Sequence, residues 1–296
     1  MKNTSTHNVT KDDSNNTSQI TSQTDNKKPE KISPEQVQQI IKEATFSNNY
    51  IFQKVLKKIP ICEKFLKILL HKDIKLGKVK YEQAFFTNEK TKGIRLDVVA
   101  HSKTDGTIYD IEMQKYTSKE LLLRAIYYTE VLNSQNLEKG EDYTKIPESY
   151  VIFICLHDPF DHGDSVYKVI SVLDNYRDDV LETKRNIIYY NCSAFDKIKN
   201  DTEQKALLEY ISNDQPTSDF TKRLQKEVES VKQSEGLKKM IISKDSYDND
   251  LINRIKEKTT VNCLEKNMSD KDIIDIAEIT QEQLDQIKED YRNKNK

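Results

Sequence analysis

The 296-residue sequence lacks tryptophan, has only six glycines, and carries almost no charge excess, with 47 basic side chains against 49 acidic ones. A net charge of −2 does not mark a polyanion binder in bulk, so any nucleic-acid contact must come from a local patch. The four cysteines, at 62, 155, 192 and 263, are far apart with no pair at metal-ligand spacing, so they carry no zinc-site signature. Cys62 and Cys155 sit in apolar surroundings and read as small buried hydrophobes, which suits a reducing compartment. No apolar run approaches the length of a membrane span, and the opening MKNTSTHNVTKDDSNN has no signal-peptide core. The expectation is a soluble, cytoplasmic protein without a membrane partner.

What is present is unevenly spread. Only 35% of residues are hydrophobic against 32% charged, so part of the chain does not build core. Residues 1–33 are almost all polar; Ile20 and Ile32 are the only large apolar residues after Val9. Such a segment cannot offset its ordering entropy and reads as a disordered tail. Ser33-Pro34-Glu35 has the form of an N-cap and first-turn proline, opening a helix near residue 34. Apolar spacing at Ile51, Phe52, Val55 and Leu56, and again from Phe65 to Leu70, predicts further helical pieces. Residues 118–135 read as an amphipathic helix capped by Ser118, with Leu121, Leu122, Ala125, Tyr128 and Leu132 as its apolar stripe. The run SYVIFICL (149–156) is apolar throughout, as a strand buried on both faces requires, and NIIYYN (186–191) is a further strand. The fold class is α/β or α+β with a mixed sheet, with one domain over 34–215 and a charged helical extension over 216–296.

The informative stretch is GIRLDVVAHSKTDGTIYDIEMQ, residues 93–114. Two apolar-rich runs flank Asp105-Gly106, and Asp97, Glu112 and Gln114 interrupt them. Alternation puts Asp110, Glu112 and Gln114 on one face, with Tyr109, Ile111 and Met113 on the other. A two-residue turn at Asp105-Gly106 places Asp97 opposite Gln114 and diagonal to Glu112, so these groups converge. An ordinary hairpin with three solvated polar groups fits the spacing too. Converging carboxylates repel unless a cation lies between them, and Mg²⁺ or Mn²⁺ suits oxygen donors of this kind. Such an ion acidifies bound water and stabilises charge on a phosphoryl group.

RLDVVA followed by DGTIYDIEMQ closely resembles the signature of the PD-(D/E)XK nuclease family transposases, the recombination-promoting nucleases of mobile elements. SNNYIFQKVL (47–56) resembles the family's N-terminal helix entry, and LLLRAIYYTEVLNSQNLEKGEDY (121–143) its Arg-x-x-x-Tyr helix. SYVIFICLHDPFDHG (149–163) is similar to its buried strand and Asp-Pro-Phe loop. The similarity covers roughly 45–215, with a weaker echo in the C-terminal helices. It implies a restriction-endonuclease-like core, a central mixed sheet flanked by helices, and a Mg²⁺-dependent (or Mn²⁺-dependent) endonuclease acting on DNA. By that resemblance Asp97 and Glu112 are metal ligands, the backbone carbonyl of Met113 is a further one, and Gln114 occupies the place of the superfamily's lysine, a catalytic position from which its amide would orient the water or contact the phosphate. Asn49 stands where the family often has Asp. Lys115 is sent to the other face by the pleat, and Lys103 lies too far along the hairpin to substitute. A catalytically decayed relative that binds DNA or protein is the alternative reading, and a small-nucleotide phosphohydrolase a third.

Outside the hairpin, nine lysines between 54 and 80 read either as a solvated helical face or as a candidate DNA contact, with Lys54, Lys57 and Lys58 nearest the helix entry. Arg124, just beyond the catalytic strand, reads either as a phosphate contact or as a partner for a carboxylate. His157 and His162 bracket HDPFDH, which reads as a loop rather than a zinc site. Residues 268–290 contain two helix starts, at Ser269 and at the Thr280/Gln283 capping box. Residues 245–290 carry 13 acidic groups against six basic ones, which opposes docking on phosphates and favours an interaction or homo-oligomerisation module.

Overall fold

In a computed structural model of the chain, residues 32–85, 93–134, 136–137 and 139–294 are described. Apart from Ile32 and Ser33, the expected disordered tail lies outside them. Two compact units emerge, one over Ile32–Ser246 and one that includes Tyr247–Lys296.

The larger unit opens with three short helices, α1 (Pro34–Glu43), α2 (Asn49–Leu56) and α3 (Ile59–Leu70). Ser33 caps α1 in a full capping box with Gln36, as the sequence indicates. Strands β1 (Leu76–Phe85), β2 (Ile94–Ser102) and β3 (Ile108–Gln114) follow, then α4 (Leu121–Ser134) and β4 (Ser149–Cys155). Next come β5 (Val166–Val169), a small hairpin of β6 (Val172–Leu173) and β7 (Tyr176–Val180), and β8 (Arg185–Asn191). Helices α5 (Thr202–Asn213), α6 (Asp219–Lys232) and α7 (Glu235–Glu265) complete it, α7 running on into the second unit.

Six strands form one sheet in the order β1-β2-β3-β4-β8-β5. The β3-β4 and β4-β8 pairs are parallel and the others antiparallel, so the sheet is mixed as expected. Every residue of β4 is buried, the pattern of a central strand covered on both faces. One face packs against α1–α3, α5 and α6, where Phe46, Phe52 and Phe65 meet with ring centroids 5.4–6.4 Å apart. Burying each such ring contributes about 1.5–3 kcal/mol before entropy is counted. The other face packs against α4 through Leu121, Ala125, Tyr128, Val131 and Leu132. Phe220, Leu224 and Val228 set α6 into the first of these cores, so this unit runs well past residue 215.

Helix α4 begins at Leu121, later than the sequence suggested. Ser118 instead closes a turn before it, its carbonyl accepting from the Leu121 amide at 3.2 Å. Leu122, assigned to the buried stripe, is 38% exposed, and Val131 takes its place inside. The sequence of strand β1, LGKVKYEQAF, gives no clean strand signal because Lys78, Lys80, Glu82 and Gln83 break up its apolar residues, which a sheet-edge strand tolerates.

The second unit holds the end of α7, α8 (Asp270–Ala277) and α9 (Gln281–Lys294) around Cys263, Ile273, Ala277, Ile279 and Leu284. Ser269 caps α8, and Thr280 and Gln283 exchange side-chain-to-backbone bonds before α9, both as read from the sequence. No described helix is long and apolar enough to cross a membrane.

Candidate active site

The β2-β3 ladder pairs Val98 with Ile111, Val99 with Asp110, Ala100 with Tyr109 and His101 with Ile108. The Ser102 amide donates to the Thr107 carbonyl at 2.8 Å, so four residues, Lys103 to Gly106, make the loop. The two-residue turn expected at Asp105-Gly106 is therefore replaced by a longer one. Gly106 has φ 76° there, and Asp105 Oδ1 accepts from the Thr107 amide at 3.1 Å. The register moves by two residues, bringing Asp97 level with Glu112 instead of Gln114. An even shift keeps Asp110, Glu112 and Gln114 on their expected face, but alternation slips at Asp97: Leu96 packs in the α4 core with Val99, while Val98 and Ala100 pack in the other.

Beyond Val98 the ladder stops and carboxylates take over its hydrogen bonds. The Asp97 amide donates to Glu112 Oε1 at 2.8 Å, and the Met113 amide donates to Asp97 Oδ2 at 3.2 Å. Gln53 of α2 donates to Asp97 Oδ1 at 3.1 Å. On the other side, Glu82 of β1 adopts φ 48°, and the β1-β2 pairing skips it between Tyr81↔Val98 and Gln83↔Leu96. Asp97 thus sits in a local splay of the sheet, between α2 on one face and α4 on the other.

Electrostatics here are dominated by burial. Glu112 is 4% exposed, and desolvation with the nearby Asp97 charge raises its pKa to about 8. Burial likewise raises Asp97, against the Met113 and Gln53 bonds and the Arg124 charge. Asp110 is fully buried; its oxygens meet no neutral or basic donor, only the carboxyl of Glu112 within reach. Desolvation first, and then the charges of Glu112 and Asp97, push it well above the usual carboxylate range. The balancing cation is Arg124, whose Nη2 lies 3.8 Å from Glu112 Oε2.

Asp97 and Glu112 are thus locked together on adjacent strands of this mixed sheet. Residues 45–260 match the family described as PD-(D/E)XK nuclease family transposase. The chain belongs to that family. No curated protein and no solved structure matches it.

Within this PD-(D/E)XK fold, the residues expected at the centre can be placed one by one. Asp97, Glu112 and Met113 are brought together. The Leu156 amide donates to the Gln114 carbonyl at 3.0 Å, so strand alternation turns the Met113 carbonyl toward β2, beside its own amide and Asp97. Gln114 lies beside the pair, accepting from Arg124 Nη1 at 3.2 Å and donating to the Tyr116 carbonyl. Asn49 is exposed at the start of α2, and Gln53, one turn further on, is the residue that reaches Asp97.

The lysines do not form one patch. Lys54 donates to Tyr81 Oη at 3.0 Å, and Lys57 stands 4.7 Å from the Tyr81 ring centroid. The Tyr81 bond raises Lys54, and the two lysines lower Tyr81. Lys58 pairs with Glu227, Lys64 with Glu203, and Lys67 with Asp73. His157 and His162 are exposed, while the Asp158 carboxylate accepts from the Phe160, Asp161 and Gly163 amides and from Tyr167, which fits a structural loop. Gln53 and Glu82 were missed by sequence reasoning, and Asp110 was given a face, that of Glu112, but no role.

The donor set suits a hard divalent cation. Two carboxylates and a main-chain carbonyl are all oxygen, and each Asp97 oxygen accepts a protein hydrogen bond while retaining a second lone pair. Among the described residues no group of three His, Cys, Asp or Glu side chains could hold an ion, so water would have to complete an octahedron.

Proposed function

We propose that this family member is a Mg²⁺-dependent (or Mn²⁺-dependent) endonuclease that hydrolyses DNA phosphodiester bonds in recombination or transposition. The observation that carries this reading is the hydrogen-bonded Asp97–Glu112 pair at the sheet splay, in a chain of nuclease family membership. Asp97, Glu112 and the Met113 carbonyl would hold the metal, which when bound supplies an acidified water and charge stabilisation at phosphorus. In the reaction a water oxygen bonds to phosphorus and one ester P–O bond breaks. The proton lost by water passes to solvent, and the leaving oxygen takes one back.

The chain's own groups prepare that step. Gln53 and the Met113 amide fix both oxygens of Asp97, and the Asp97 amide fixes Glu112, so neither carboxylate has to reorganise. Lys54 and Lys57, flanking Tyr81 on the α2 side, offer charge to the DNA backbone, and Lys58 can exchange Glu227 for a phosphate. Helices α8 and α9, with the end of α7, suit self-association better than DNA, given their acidic surplus.

A supercoiled-plasmid nicking assay with and without Mg²⁺ tests the proposal. Metal-dependent nicking that disappears in Asp97→Ala and Glu112→Ala supports it; nicking unchanged in both variants refutes it. The alternative, a decayed relative that only binds, draws on Gln114 at the lysine position and on Asn49. It requires that Mg²⁺ bind the native protein no better than the double-alanine variant.

A further inference from the structure

The nuclease reading leaves one role unfilled. The strand position beside the carboxylates carries Gln114, which supplies no charge to a phosphate. Nor is Gln114 free to steer a water molecule, because its Oε1 accepts from Arg124 and its Nε2 donates to the Tyr116 carbonyl.

Arg124 occupies the vacancy from a different element. It lies one turn into α4, on the face of the sheet that carries Glu112, and its side chain is 34% exposed. Its guanidinium is held on three sides. Nη1 donates to Gln114 Oε1 at 3.2 Å; Nε and Nη2 donate to Tyr128 Oη at 3.4 and 3.3 Å; and the central carbon stands 5.7 Å from the Phe153 ring centroid. Nη2 remains 3.8 Å from Glu112 Oε2, which is too long for a hydrogen bond but close enough for the charges to feel each other. Arg124 is therefore a fixed, partly exposed positive charge beside the acid pair.

Resting on the nuclease reading above, we propose that Arg124 supplies the positive charge to the scissile phosphate that the superfamily's lysine supplies elsewhere, and that Gln114 is a positioning residue whose task is to aim it. A guanidinium suits this role: it binds two phosphate oxygens at once and never loses its proton. Charge and metal binding are then separated. Arg124 repels an incoming cation, so its removal should favour metal uptake while harming turnover.

The test measures plasmid nicking and Mg²⁺ binding by calorimetry on the full chain. Variants are Arg124→Gln, Gln114→Leu, and the double change Arg124→Gln with Gln114→Lys, which moves the charge back to the strand. The expected result is that Arg124→Gln loses about 10²–10³-fold in nicking rate, with Mg²⁺ affinity equal to or tighter than native. Gln114→Leu should lose about tenfold in kcat with KM little changed. The double variant should recover at least about tenfold over Arg124→Gln. Nicking by Arg124→Gln within about twofold of native would overturn the proposal, as would parallel loss of nicking and metal affinity, which marks a structural role. Failure of the relocated lysine to rescue also counts against it. Should Arg124→Gln not fold, Gln114→Leu decides alone: unchanged kcat overturns the proposal. A native protein that neither binds Mg²⁺ nor nicks the plasmid overturns the nuclease reading itself, and this assignment with it.

Discussion

Asp97 and Glu112 are joined through main chain rather than by facing each other as free acids: the Asp97 amide donates to Glu112 Oε1 at 2.8 Å. Asp97 in turn accepts from the amide just after Glu112, that of Met113, at 3.2 Å. Each acid thereby fills a hydrogen-bond vacancy that the splayed strands would otherwise leave open.

Glu112→Gln separates charge from shape. The amide fits the same space without a buried charge, so the metal-free protein should gain about 2 kcal/mol at alkaline pH, roughly 4–8 °C in Tm. The gain should shrink near pH 6, where Glu112 already carries a proton. Nicking should fall by at least about 10²-fold. Paired melting curves at the two pH values and a plasmid assay check both parts.

The pH dependence follows from the same group. Glu112 has its pKa raised from 4.5 to about 8 in the folded protein. Between those values the folded state holds a proton that the unfolded chain has released. Stability of the metal-free protein should therefore decline as pH rises through this window, then flatten above about 8. Metal binding must expel the proton, so Mg²⁺ affinity should climb with pH and level off at the same point. Calorimetry in buffers of different ionisation enthalpy would count the released proton.

Gln53 offers a test away from the metal ligands. It is 4% exposed, and its amide holds Asp97 Oδ1. Gln53→Leu keeps the volume and removes the donor, and should weaken Mg²⁺ binding or nicking by about 10–100-fold without unfolding the chain. A variant with native affinity and rate would show that Asp97 is aligned without it.

Asp110 should be dispensable for folding. Its buried carboxyl faces another acid, Glu112, and no neutral donor, so Asp110→Val should stabilise the metal-free protein by about 1–3 kcal/mol. A urea denaturation midpoint that moves downward would refute this.

Lys54→Ala with Lys57→Ala should weaken DNA binding uniformly across sequences. The slope of log affinity against log salt should become shallower by about one to two. Fluorescence anisotropy in Ca²⁺, over a range of salt, measures it.

Much of this site was legible in the sequence, for a specific reason. Strand periodicity is two, so a register misjudged by two residues at the Asp105-Gly106 turn still leaves Glu112 on the correct face, and Asp97 meets it although alternation slips between Leu96 and Val98. The turn itself was not legible, because Asp-Gly serves two-residue and longer loops alike. Gln53 was hidden because a contact across 44 positions leaves no local pattern, and an amide among apolar residues looks like an ordinary helix position. Strand β1 was hidden by its lysines, which an edge strand displays to solvent. Composition placed the lysines of 54–80 together, yet folding hands Lys58, Lys64 and Lys67 to separate acids.

The splay at Asp97 ties chemistry to architecture. Because the two side chains stand in for missing rungs of the sheet, the strands need an acceptor oxygen at each position, but not a charge. Arg124 in turn balances the buried acids while they remain acids. Loss of activity therefore frees the three positions together: once amides replace the acids, the sheet stays closed and the arginine has nothing left to balance.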